Sequence, residues 1–212
     1  MSDDTLALQF DRSTLTTLPL VRRSTVALPA LEVPAGITPE LLRLARTCWE
    51  ERARSEYVGV MIVRRFHGLL VELNAPMDLQ EVALLMMLQE QRHAALCVHA
   101  AKALGSDGEL QFDRAELAQP ITSEPLEAQL LEMICGTYLV GEVVALALIR
   151  HSIRALPPSP FRGILETIAA DEVLHGNLGE QLLCALRKGC DPAWLAWPGD
   201  AWVIASAQRT MD

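Results

Sequence analysis

The sequence predicts an all-α protein: four long helices packed as a bundle, with a long crossover between the second and third. A separate N-terminal arm and a Trp-rich C-terminal tail flank the four helices. Three observations lead there. Apolar residues recur at helical spacing over four long stretches. Each stretch begins or ends on recognisable capping residues. Two Glu-x-x-His tetrads, Glu90-Gln91-Arg92-His93 and Glu172-Val173-Leu174-His175, interrupt two of the apolar faces.

Residues 1–37 hold short apolar patches and end in Pro29, Pro34 and Gly36, so they read as an arm lying on the bundle or partly disordered. The first helix starts at Thr38, an N-cap followed by Pro39 and Glu40, and runs to about Leu73 before Asn74-Ala75-Pro76. The second starts at Asp78, where Glu81 completes a capping-box pattern, and stops at Gly105. Residues 106–122 form the longest internal connection. The third helix follows Ser123, carries Pro125 in its first turn and stops before Pro157-Pro158. The fourth is capped by Ser159 with Pro160 at its first position, and ends at Gly189. The expected organisation is therefore an arm (1–37), a four-helix domain (38–189) and a tail (190–212). In the tail, Trp194, Trp197 and Trp202 are expected to pack as a lid or at a subunit contact. Short links within two hairpins and a long link between them make the halves a pseudo-repeat, each supplying half of a site.

Residues three apart on a helix lie about 300° apart around its axis, so the Glu and His of each tetrad face the same neighbour. With 17 Glu and 5 His in 212 residues, composition alone gives roughly 0.4 such tetrads. Two on apolar helix faces therefore need a cause. The first helix adds Glu56 within a stripe of Trp49, Ala53, Gly59, Val60, Val63 and Leu70. The third adds Glu142, on a face with Cys135, Tyr138, Leu139, Ala145, Leu146 and Ile149. Four carboxylates converging in a core would be forced toward protonation unless cations joined them. The candidate metal ligands are thus Glu56, Glu90, His93, Glu142, Glu172 and His175, a set that two divalent ions would neutralise. His67, His99 and His151 have no carboxylate three residues before them and are read as non-ligands.

Composition narrows the remaining classes. A chain that is 50% hydrophobic can bury a substantial core. Its net charge of −9 argues against a nucleic-acid partner, which would demand a basic face. Arg52, Arg54, Arg64 and Arg65 cluster on the first helix and read as a solvated face. Cys48, Cys97, Cys135, Cys184 and Cys190 form no Cys-x-x-Cys pair, which fits reduced thiols and a cytoplasmic location. Cys97 and Cys135 read as buried structural thiols. The N-terminus lacks the pattern of a signal peptide, and the apolar runs read as too short for a bilayer, so no membrane partner is expected.

The segments Glu56 to Gly59, Glu90 to Ala94, Gly141-Glu142 and Asp171 to His175 resemble the ferritin-like, rubrerythrin-like di-iron carboxylate superfamily. The likeness spans residues 40–188. It implies a ferritin-like four-helix bundle, two Fe ions or Mn in their place, and O2 or peroxide as co-substrate. One His per metal resembles the oxygenases, rubrerythrins and bacterioferritins, while the Cys-x-x-Cys module usual in rubrerythrins is missing. The resulting expectation is a di-iron oxygenase or oxidase with O2, a small organic substrate and an external electron donor as partners; a homodimer stays open. The alternatives are a ferroxidase or peroxidase without organic substrate, and a non-enzymatic helical binding protein. Two further residues are candidates for catalysis. Tyr138, one turn before Glu142, reads first as a core tyrosine and second as a proton or electron donor. Asp171 is expected to point toward His93 and accept its second ring N–H, with Gln89 as the weaker counterpart for His175. Gly136 and Gly141 either make room for substrate or oxygen, or allow close helix packing.

Overall fold

A computed structural model describes residues 5–8, 28–118, 122–190 and 194–211. Among them the chain is mostly helical, in the order β1 (Thr5–Leu8), α1 (Pro39–Glu72), α2 (Met77–Ala103), β2 (Leu110–Asp113), α3 (Arg114–Leu117), α4 (Leu126–Met133), a π-helical segment (Ile134–Gly141), α5 (Glu142–Ala155), α6 (Pro160–Arg187) and α7 (Asp200–Met211). It forms two compact units, residues 1–61 with 88–119 and residues 62–87 with 120–212. Both α1 and α2 continue from one unit into the other.

Helix ends follow local chemistry. The Thr38 hydroxyl accepts from the Leu41 amide at 3.3 Å, which satisfies one of the orphan donors of the first turn of α1. Ser159 does the same for α6, accepting from the Arg162 amide at 3.2 Å with Pro160 in the first helical position. α2 ends where Gly105 takes φ +90°, letting the Ser106 amide reach back to the Ala101 carbonyl at 3.0 Å. The start of α2 differs from expectation: the helix already begins at Met77, so Asp78 lies in its first turn and accepts from the Leu79 amide.

In the first unit, the buried face of α1 carries Ala53 and that of α2 carries Ala94, Leu96, Cys97, Val98, Ala100 and Ala101, with Leu104 buried just past its end. Here the sequence reading needs three corrections. Thr5–Leu8, assigned to an arm, is a strand paired antiparallel with Leu110–Asp113, in register Thr5 with Asp113 and Leu8 with Leu110. The remainder of that arm up to residue 27 lies outside the described residues. The connection after α2 is likewise structured: β2 buries Leu110 and Phe112 and exposes Gln111 and Asp113, and Asp113 then caps α3. Finally, the arginine cluster is not simply a solvated face. Arg54 donates to the Gln111 carbonyl and lies 4.6 Å over the Phe112 ring, while Tyr57 packs on the same ring at 5.4 Å.

The second unit holds the larger core, with Val63, Phe66, Leu69, Leu70, Met86, Leu130, Ile134, Tyr138 and Leu183 among its buried members. Trp194, Trp197 and Trp202 pack against it, and residues 200–211 form helix α7 where a tail was expected. Arg65, another of the cluster, donates to Gln129 here at 2.5 Å. The predicted third helix is not uniformly α: its middle, Ile134–Gly141, is π-helical. α6 crosses this segment at Gly179, where a Cβ would lie 2.5 Å from Tyr138 C and Leu139 N, so only glycine permits the approach. Gly136 packs against α7, with Thr210 Oγ1 at 2.9 Å from where its Cβ would be. That favours close helix packing over substrate space at this position. As a helix, Leu126–Ala155 is long and apolar enough to cross a membrane by length and composition alone, contrary to the sequence expectation; core helices pass the same test. Val143, Val144 and Leu148 are exposed on it.

Candidate metal centre

Five of the six predicted ligands are buried: Glu56 (7% exposed), Glu90 (4%), His93 (0%), Glu172 (3%) and His175 (0%). Glu142 is half-buried at the first position of α5, directly after the π-helical segment. Charged side chains at such depth are rare without a partner of opposite sign.

Helix geometry places them pairwise. On α1, Glu56 sits four residues after Arg52, whose Nη1 lies 3.4 Å from Glu56 Oε1. The other oxygen, Oε2, is 3.4 Å from Nδ1 of His93 on α2. Glu90 stands one turn before His93, and its carboxylate fills the space beside Gly59, one turn after Glu56 on α1. On α6, the i,i+3 spacing brings Glu172 Oε2 to 3.0 Å from His175 Nδ1.

In the first unit the donor atoms of Glu56, Glu90 and His93 lie within 4.8 Å of one another, and in the second those of Glu142, Glu172 and His175 do the same. Each set of two Glu and one His could hold a metal ion. The donor set fits such an ion on two counts. Metal–oxygen and metal–nitrogen bonds of about 2.1 Å put neighbouring ligand atoms about 3 Å apart, the spacing of the two Glu–His contacts. Carboxylate with imidazole is also a donor combination suited to iron, manganese and zinc.

Tyr138 is fully buried, and its ring packs on Phe66 with centroids 4.6 Å apart, as a core tyrosine would. Asp171 is half-buried on α6, next to Glu172. His99 faces the Pro29 carbonyl at 2.7 Å, away from any ligand role. Cys97 is buried, and that burial pushes its thiol well above the usual range; the Glu56 charge adds to the shift and Arg52 opposes it. Burial likewise raises the Cys135 thiol, against a hydrogen bond with Ser206 that lowers it. Neither is a ready thiolate, in keeping with structural roles.

The sequence reading missed two residues here. Arg52 sits one turn before Glu56, a spacing that could have marked it as a partner. Gly59 carries no such local signal, because its neighbour Glu90 comes from another helix. No family model matches the chain, and no curated protein or solved structure matches it either.

Proposed function

We propose that the chain is a non-haem di-iron oxygenase or oxidase that uses O2 to oxidise a small organic molecule, built on a ferritin-like four-helix bundle of α1, α2, the α4–π–α5 rod and α6. One observation carries this reading: each unit gathers two Glu and one His with donor atoms within 4.8 Å of one another, Glu56, Glu90 and His93 in the first and Glu142, Glu172 and His175 in the second. Two such sets suit a pair of ions: the first would hold one and the second the other.

When bound, a pair of irons supplies the redox chemistry toward O2 that these side chains lack. The protein's own contributions are distinct. Four carboxylates balance the charge of two divalent ions, which makes a dry site tolerable. Burial of Glu90, His93, Glu172 and His175 keeps bulk water away. Arg52 holds one oxygen of Glu56, leaving the other turned toward His93. Asp171 is assigned to orient His93 by accepting its second ring N–H, and Gln89 to serve His175 more weakly, which makes the two positions inequivalent. The Tyr138 phenol keeps its core role against Phe66, with proton donation to the site as the second reading of that residue.

Anaerobic loading with Fe(II), followed by O2 exposure with optical and Mössbauer spectroscopy, tests the reading; product analysis in cell extract then seeks the substrate. The expected result is uptake of a limited amount of O2, with further turnover dependent on added reductant. Deposition of an iron core from excess Fe(II) would replace this reading with iron storage.

A further inference from the structure

Gly59 is an odd residue for its place. It lies near the middle of a 34-residue helix, where glycine weakens the helix relative to alanine, and its φ requires no glycine. What surrounds it is informative. A Cβ built there would lie 2.7 Å from Glu90 Cδ and closer still to Oε2, so the carboxylate occupies the volume a side chain would need. Gly68, on the same helix, has nothing within 4 Å of the equivalent point.

We infer that Gly59 is a positioning residue for the metal centre: its missing side chain is the cradle that holds the Glu90 carboxylate in its place beside Glu56 and His93. This rests on the two-metal reading above. The obstructed atoms are the far end of a flexible side chain, so a methyl group at position 59 leaves the fold an inexpensive escape: Glu90 rotates aside. Rotation takes the carboxylate away from the donor atoms of Glu56 and His93, which lie within 4.8 Å of it. Helix stability and metal binding are thus set against each other at this residue. A glycine kept for close helix packing would behave differently, because filling it would cost stability first.

The test compares wild type, Gly59→Ala and Gly68→Ala as full-length apo-proteins. Anaerobic Co(II) titration is read by equilibrium dialysis and by visible absorption, and apo-protein melting by circular dichroism. Gly68→Ala binds Co(II) as wild type does. Gly59→Ala melts no lower than wild type, yet its affinity falls at least roughly 10-fold, the scale seen when groups orienting a ligand are lost. The fall is expected in one of the two binding steps, with altered Co(II) absorption bands. Wild-type Co(II) affinity in Gly59→Ala would overturn the inference and leave the two-metal reading standing. A lower apo melting temperature or a failure to fold would also overturn it, in favour of packing. Absence of Co(II) binding by wild type would overturn the two-metal reading itself, and this inference with it.

Discussion

Gly179→Ala should destabilise the protein, by an amount that follows from the close approach of α6 to the π-helical segment. The new Cβ would lie 2.5 Å from Tyr138 C and Leu139 N and 2.8 Å from Leu139 Cα, where carbon contacts relax at about 3.5 Å or more. Backbone cannot rotate aside as a carboxylate can, so the helices must separate by about 1 Å. Overpacking costs about 1–3 kcal/mol, and a backbone obstruction belongs at the upper end. Alanine returns about 1 kcal/mol through helix propensity, which leaves a net loss of about 2 kcal/mol. For a domain of this size the melting temperature falls by about 2–4 °C per kcal/mol, hence about 4–8 °C. Thermal unfolding followed by circular dichroism reads this directly, with Gly163→Ala as the control on the same helix, where nothing lies within 4 Å of the added carbon. The control should melt about 2–4 °C higher than wild type. A Gly179→Ala protein that melts at or above the wild-type temperature would refute the reasoning.

Two further outcomes are expected. Ser159→Ala removes the side-chain cap of α6 and should cost about 1 kcal/mol in denaturant titration, whereas Ser159→Asp should keep most of the stability. Native protein should react with a thiol reagent at the exposed Cys48, Cys184 and Cys190 and not at the buried Cys97 and Cys135. Because burial raises the latter two thiols, they stay protonated as pH passes the ordinary thiol value of about 8.5, so their modification should not begin there as it does for exposed cysteines; mass spectrometry across a pH series checks this.

What the sequence revealed was local. Thr38, Ser159, Pro160, Gly105 and Gly189 mark helix ends because capping acts within a few residues, and the observed α1 and α6 start where those residues stand. The two tetrads were legible for the same reason, since one helical turn joins Glu to His. What escaped the sequence depends on partners far along the chain. Thr5–Leu8 is only four residues long and pairs with Leu110–Asp113, so neither strand stands out alone. α7 was hidden by the glycine, prolines and tryptophans before it. The π-helical segment alters hydrogen bonding without altering the apolar composition that marked the third helix. Gly59 and Gly179 acquire meaning only when another helix arrives opposite them.

The most direct test of the central claim is metal stoichiometry after anaerobic Fe(II) reconstitution and removal of loosely bound ions, measured by plasma emission spectrometry on wild type, Glu90→Ala, Glu172→Ala and His93→Ala. Glu90 and His93 belong to the donor set of the first unit and Glu172 to that of the second. The account predicts about two irons per chain in wild type and about one in each of the three variants. A wild-type value near zero, or glutamate variants that hold as much iron as wild type, would contradict it.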